Sequence, residues 1–160
     1  MLTIRQRPEA ITPALLALIR PKVQYDVDGR YSTYLPAEAN ELRRLARFVC
    51  PEVDSADFRD VVLQAYRDGN AITPCHRDAA TFGFILSIGA TRTFRIHREP
   101  CRDGGCRNPG LDIIDIECVH GTVIRMDASF HEGWHHQVLP DARVKEERLS
   151  LVFRTLPTRA

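Results

Sequence analysis

The chain has no long apolar run, no excess of charge and no repetitive or biased tract. Each absence removes a class of protein. Nothing approaches the roughly 20 consecutive apolar residues of a membrane-spanning helix. The opening Met1-Leu2-Thr3-Ile4-Arg5-Gln6-Arg7-Pro8 carries no apolar core of the kind that directs secretion. A cytoplasmic protein with no membrane contact and no obligate protein partner is the expectation. Charge almost cancels: 22 Lys+Arg against 21 Asp+Glu leave a formal +1. The chain therefore has no global grip on a polyanion, and nucleic acid would have to be held by a local patch. Lysine is scarce, with Lys22 and Lys145 standing among arginines. Five cysteines at 50, 75, 101, 106 and 118 are odd in number and irregular in spacing. They read as reduced thiols rather than as a disulfide framework.

What is present is an ordinary globular composition, 44% hydrophobic and 27% charged over 160 residues. That length suits one domain, residues 1–160. The first third reads as helical. Residues 8–20 carry Ile11, Leu15, Leu16, Leu18 and Ile19, and Pro36 is placed to open a second helix with Leu42, Leu45, Ala46 and Val49 on one stripe. Residues 25–34 between them read as polar and turn-like around Asp28-Gly29. From residue 60 the period changes to that of strands, at 61–67, 81–88, 92–98, 111–117, 121–126, 134–139 and 148–156. Asp68-Gly69-Asn70, Gly89-Ala90, Gly104-Gly105, Asn108-Pro109-Gly110 and Pro140-Asp141 punctuate them. Residues 100–110 read as a surface loop. The expected fold is α+β and mainly β, with N-terminal helices packed on an antiparallel sandwich or jelly roll.

Polar, chemically capable residues concentrate in four places. His76 and Asp78 are two apart, so an extended backbone presents both on one face. Trp134-His135-His136 offers a third imidazole, and since neighbouring strand residues point to opposite faces, at most one of the two histidines can join. Two imidazoles and one carboxylate form a facial triad, which leaves open positions on iron(II). A closed structural zinc site would use four protein ligands. In residues 148–154, Leu149, Leu151 and Phe153 make one face and Arg148, Ser150, Val152 and Arg154 the other. The two arginine backbones lie roughly 20 Å apart at about 3.3 Å per residue, a span suited to the two ends of a small dicarboxylate. Val62, Gln64 and Tyr66 share a face, and the carboxamide and phenol can donate to carboxylate oxygens. Taken singly, each group is also what a solvated turn, a half-buried histidine pair or an exposed sheet face would contain.

The order of these groups resembles that of the AlkB-like iron(II)/2-oxoglutarate dioxygenases. Tyr66-Arg67-Asp68-Gly69, Ile72 and His76-Arg77-Asp78 are similar to the family's Asn-x-Tyr…Gly…His-x-Asp segment. Residues 87–94 resemble its Ser-Leu-Gly strand turn, residues 120–124 the strand leading to the distal ligand, and residues 136–140 that ligand's surroundings. Residues 148–154 are similar to its closing Arg-x-Asn-x-Thr-Phe-Arg. The resemblance covers about residues 60–156. It implies a double-stranded β-helix with His76, Asp78 and His136 on iron(II). Arg148, helped by Tyr66 and Ser150, would hold the distal carboxylate of 2-oxoglutarate, with Gln64 and Arg154 near the metal-chelating end. Oxygen and 2-oxoglutarate would be consumed to hydroxylate a nearby C–H bond. On an N-methyl group the product would collapse to release formaldehyde. No catalytic residue is singled out beyond the metal centre.

Departures from the family pattern bear on the substrate. Gln64 and Ser150 stand where Asn is usual, and Val152 where Thr is usual. Ala80 occupies the position at which base-repairing members often carry an acid, and the stretch before the strands leaves little chain for a lid over a flipped nucleotide. Tyr25, Tyr31 and Tyr34 offer rings that a base could stack on, and Phe130 and Trp134 flank the expected iron site, with Tyr34, Phe130 and Trp134 as candidate substrate-pocket residues. His97, Cys101, Cys106, Cys118 and His120 offer an alternative zinc cluster. Three readings follow: a dioxygenase acting on a nucleobase or nucleic acid, the same chemistry on a small molecule or free nucleoside, and a non-catalytic jelly-roll binding module.

Overall fold

The computed structural model describes residues 1–78, 80, 82–98 and 112–155, with 131 and 132 described by backbone alone. Two antiparallel sheets face each other. The larger has the order β1-β8-β5-β10-β3-β2 and the smaller β4-β9-β6-β7. In the larger lie β1 (Leu2–Gln6), β2 (Arg30–Leu35), β3 (Phe58–Tyr66), β5 (Phe82–Gly89), β8 (Thr122–Asp127) and β10 (Arg148–Thr155). In the smaller lie β4 (Thr73–His76), β6 (Arg92–His97), β7 (Ile113–Cys118) and β9 (His135–Val138). From β3 onward the chain changes sheet at every connection except β6 to β7. This is a double-stranded β-helix, as expected.

Strand periodicity sorts the side chains into two cores. Val61, Leu63 and Ala65 of β3, Phe84, Leu86 and Ile88 of β5, and Leu149, Leu151 and Phe153 of β10 point away from the smaller sheet. They pack under α1 (Pro13–Ile19) and α2 (Asn40–Val49), against Leu15, Ile19, Leu42 and Leu45. Phe84 and Phe153 stack at 4.4 Å, and Phe58 meets both edge-on. Burying each ring contributes roughly 1.5–3 kcal/mol. Residues of opposite parity, Val62, Tyr66, Ile85 and Val152, face the smaller sheet and meet its Phe94, Ile96 and Val138. The space for a site lies within this second layer.

Four expectations are corrected. Residues 8–20 are not one helix: Pro8–Ala10 is a 3-10 turn, and α1 begins at Pro13 because Thr12 Oγ1 accepts from Leu15 N at 3.1 Å. Pro36 does not open α2. It starts a turn in which Ala39 N donates to Pro36 O at 2.9 Å, and the helix begins at Asn40. Residues 25–34 are a turn only as far as Gly29, whose φ is 72°; Arg30–Leu35 is β2, on the edge beside β3. The strands β1 and β4 and the short helix α3 (Ala128–Gly133) lie in stretches not read as elements at all. The seven expected strands are all found, with the described ends shifted by up to three residues; the expected ends at 81, 111 and 156 and the loop 100–110 lie outside the described residues.

A close approach ties the turn before β4 to the segment after β9. Gly69 N donates to Val144 O at 2.9 Å, and Asp141 N to Gly69 O at 2.8 Å. A Cβ on Gly69 would sit 1.7 Å from Asp141 O, so only glycine fits there.

Candidate metal centre and adjoining pocket

His76 ends β4 and His136 lies on β9, and the two are register partners. Their rings are therefore 4.3 Å apart. Asp78, just beyond β4, closes the set, with its oxygens 3.9 Å from His76 Nε2 and 3.6 Å from His136 Nε2. One donor atom from each of the three lies within 4.8 Å of the others, a separation that one divalent ion can span. His76 Nδ1 donates to Pro74 O at 2.8 Å, which leaves Nε2 as the lone-pair nitrogen aimed at the site. His136 stacks on Phe94 at 5.3 Å. Burial raises the Asp78 carboxyl, but His136, Arg154 and His76 outweigh it and hold the group below its ordinary range. The anionic form, which a metal needs, is therefore the one present at neutral pH.

His135 points to the other face, as expected of a neighbour. It stacks on His97 at 5.8 Å, and burial, then His97 and Arg77, depress its imidazole. His97 Nε2 lies 3.2 Å from Cys75 Sγ. Cys75 is disulfide-bonded, a departure from the reduced thiols expected throughout; Cys50 and Cys118 are free and buried. The alternative zinc cluster does not assemble from its described members. Cys118 pairs with Arg92 at one end of the β6–β7 ladder, His97 pairs with Ile113 at the other, and His120 Nδ1 accepts from Gly89 N at 3.2 Å. Cys101 and Cys106 lie outside the described residues.

The three candidate ligands open on a cavity of about 130 Å³. Val62, Ile85, Phe94, Val138 and Val152 make its apolar wall, and Gln64, Thr73 and Arg154 its polar points. Tyr66 Oη donates to Gln64 Oε1 at 2.8 Å and lies 2.5 Å from Thr73 Oγ1, while Ser150 Oγ donates to Gln64 Oε1 at 3.3 Å. Behind this layer Arg148 is 1% exposed, with its guanidinium 5.0 Å from the Tyr66 ring centre. Arg148 Nη2 donates to Ser87 Oγ at 3.1 Å, but Nε and Nη1 are buried with no hydrogen-bond partner. A buried guanidinium with two idle donors fits a carboxylate, and no carboxylate of the described residues pairs with it.

Arg154 stands at the metal end. It donates to Asp78 Oδ1 at 2.6 Å and pairs with Asp60 Oδ2 at 2.7 Å. Burial lowers the guanidinium, but Asp78 and Asp60 outweigh it and raise it. Arg154 is thus engaged by two carboxylates and lines the cavity, whereas Arg148 lies behind it. Asp60 escaped the sequence reading, yet it continues the Val62-Gln64-Tyr66 alternation by one step and faces Arg154. Thr73 carries no comparable signal.

The candidate substrate residues scatter. Tyr34, on edge strand β2 opposite Val62, is 73% exposed. Phe130 is buried in the second core and stacks on Trp134 at 5.5 Å, with Arg98 over Trp134 at 5.0 Å; neither ring lines the cavity. Tyr25 is bonded to Glu147, and Tyr31 packs against the helix-side core, so the three tyrosines do not form one platform.

A double-stranded β-helix with an imidazole–carboxylate–imidazole set inside it defines the class as the 2-oxoglutarate oxygenase fold. A prolyl-4-hydroxylase of Pseudomonas putida matches over 98% of this chain and 93% of its own, with TM-score 0.57 and 18% identity. The Escherichia coli ribosomal oxygenase YcfD matches over 99% of this chain and 49% of its own, with TM-score 0.59 and 17% identity. No protein-family model matches the chain. Among curated proteins, the alpha-ketoglutarate-dependent dioxygenase alkB homolog 3 of Rattus norvegicus is 29% identical over 105 residues, 62% of this chain and 36% of that protein. The DNA oxidative demethylase ALKBH2 of Mus musculus is 30% identical over 125 residues, 74% of this chain and 52% of that protein. The chain is AlkB-like, and it spans about a third to a half of the length of these two relatives.

Proposed function

We propose that this chain is an iron(II)/2-oxoglutarate-dependent dioxygenase acting on a nucleobase or nucleic acid. One observation carries the reading: a three-donor metal set opens on a small cavity, and behind its Gln64 and Thr73 a buried arginine with idle donors lies against Tyr66, whose hydroxyl bonds both. His76, Asp78 and His136 would hold iron(II), leaving positions for cosubstrate and oxygen. Arg148 would take the distal carboxylate on Nε and Nη1. Gln64, Tyr66, Thr73 and Ser150 would hold the cosubstrate's length by hydrogen bonds, and the valine and isoleucine walls exclude water. Arg154 keeps Asp78 anionic and in place. Bound together, iron(II), 2-oxoglutarate and oxygen supply a decarboxylation to succinate and carbon dioxide coupled to hydroxylation of a C–H bond. The relatives' names, a dioxygenase and a DNA oxidative demethylase, support an N-methyl group as the carbon attacked. Both cores share the larger sheet, which supports reading residues 1–160 as one domain.

The test is manganese(II)-dependent binding of 2-oxoglutarate, followed by succinate release with iron(II) and oxygen. Absence of both would leave a non-catalytic binding module as the better account. A second reading, the same chemistry on a small molecule or free nucleoside, is favoured by Ala80, which is 9% exposed and leaves no acid two residues after Asp78, and by the formal charge of +1. Salt-dependent affinity for single-stranded DNA or RNA supports the first reading, and its absence at low ionic strength supports the second.

A further inference from the structure

Among the described residues Arg92 is the other fully buried arginine, 2% exposed at the start of β6. Its guanidinium donates to three backbone carbonyls: Asp68 O at 2.9 Å, Ala71 O at 2.8 Å and Leu139 O at 2.6 Å. Nε has no hydrogen-bond partner. Neutral carbonyls fill donors but do not cancel charge. Among the described residues no carboxylate forms an ion pair with Arg92 or with Arg148. The two nonetheless lie over the same Tyr66 ring, 5.9 and 5.0 Å from its centre. Burial and then Arg148 lower the Arg92 guanidinium and outweigh the opposing pull of Asp141 and Asp68, so the two cations interact. A ring face attracts a cation but does not neutralise one. Two buried like charges are costly unless an anion joins them.

Three carbonyls from two turns would suffice for a strut, since they tie the β3–β4 turn to the end of β9. A neutral donor would serve that purpose without the cost of burying a second charge beside Arg148. We propose that Arg92 is a second cation of the distal-carboxylate site. It is a positioning residue that raises affinity for a dicarboxylate cosubstrate by acting across Tyr66 and Arg148, without touching the cosubstrate itself. The inference rests on the proposed 2-oxoglutarate reading and deepens it: selection between dicarboxylate and monocarboxylate 2-oxo acids is assigned to an arginine pair rather than to Arg148 alone.

Calorimetry of the full chain with manganese(II), without oxygen, separates the possibilities. The ligands are 2-oxoglutarate and 2-oxobutanoate, which shares the metal-chelating end and lacks the distal carboxylate. Arg92→Gln is expected to weaken 2-oxoglutarate binding about tenfold and to leave 2-oxobutanoate unchanged, the size expected for one charge acting through a partly screened interior. Arg92→Lys, which keeps the charge and loses the fork, is expected to lower the melting temperature while holding 2-oxoglutarate affinity near wild type. Equal losses for both ligands, or wild-type 2-oxoglutarate affinity in folded Arg92→Gln, would reduce Arg92 to a strut and overturn the proposal. If Arg92→Gln fails to fold, Arg92→Lys decides alone: loss of 2-oxoglutarate affinity in step with stability overturns the proposal. Wild-type protein that binds 2-oxobutanoate and 2-oxoglutarate equally well overturns it too. Wild-type protein that binds neither removes the functional reading beneath it as well.

Discussion

Asp60 on β3 and Arg154 on β10 are register partners, and their 2.7 Å ion pair turns the other half of the guanidinium onto Asp78 at 2.6 Å. A carboxylate that touches no candidate ligand thus sets the orientation of one that does. Asp60→Asn should weaken manganese(II) or cobalt(II) binding by about tenfold or more, the usual cost of losing an outer partner of a metal ligand. Metal titration of the folded variant checks this, and wild-type affinity would leave Asp60 with no part in the centre.

His76→Ala and Asp78→Ala should each abolish metal-dependent binding of 2-oxoglutarate and any succinate release. The metal-free proteins should melt close to wild type, because neither side chain belongs to the two apolar cores. Binding and melting curves recorded on the same preparations separate a lost ligand from a lost fold.

Arg148→Ala should weaken 2-oxoglutarate at least tenfold, since charge-assisted bonds contribute roughly 1.5–3 kcal/mol. Metal affinity without cosubstrate should hardly change. The fold should tolerate the substitution, because Arg148 leaves two donors idle. Undiminished 2-oxoglutarate affinity would remove Arg148 from the cosubstrate site.

Gly69→Ala should destabilise the protein by about 1–3 kcal/mol, the range for forced overpacking. The added carbon meets backbone, at 1.7 Å from Asp141 O, so no side chain can swing aside. Because this contact ties the turn before His76 to the segment after His136, metal affinity should fall as well. Chemical denaturation and metal titration read the two effects.

One pH effect has a definite sign. The Arg95 guanidinium, at 2.6–2.7 Å, holds the Asp115 carboxyl below its ordinary range. A carboxyl lowered on folding adds stability above its unfolded pKa near 4 and loses it as pH falls through the folded value. Both partners are part-exposed, so the contribution is at most about 1 kcal/mol. Asp115→Asn should narrow the stability difference between pH 7 and pH 2 by no more than that, as read from denaturation curves at the two pH values.

Local pattern made much of this legible. Alternation in 61–67 and 148–154 separated Leu63, Leu149 and Leu151 from Gln64, Tyr66 and Arg148, and the structure puts the leucines in the helix-side core and Tyr66, bonded to Gln64 and under Arg148, in the second. The His-x-Asp spacing, with one histidine from 135–136, named the residues that the structure brings together. Strand β2 was missed because Arg30–Leu35 is an edge strand with only Leu35 fully buried, so it carries no strong hydrophobic period. Strand β1 was missed for the same reason: none of its residues is fully buried.

The sequence by itself determined which faces are apolar, which strands exist from residue 58 onward other than the four-residue β4, and which residue types can ligate a metal, because each depends on neighbours along the chain. Only the tertiary structure decided that β4 lies beside β9 with His76 opposite His136, that Asp60 meets Arg154, and that Arg92 and Arg148 share Tyr66. Those relations depend on hydrogen-bonded register and close packing between segments up to about a hundred residues apart, which local pattern does not encode.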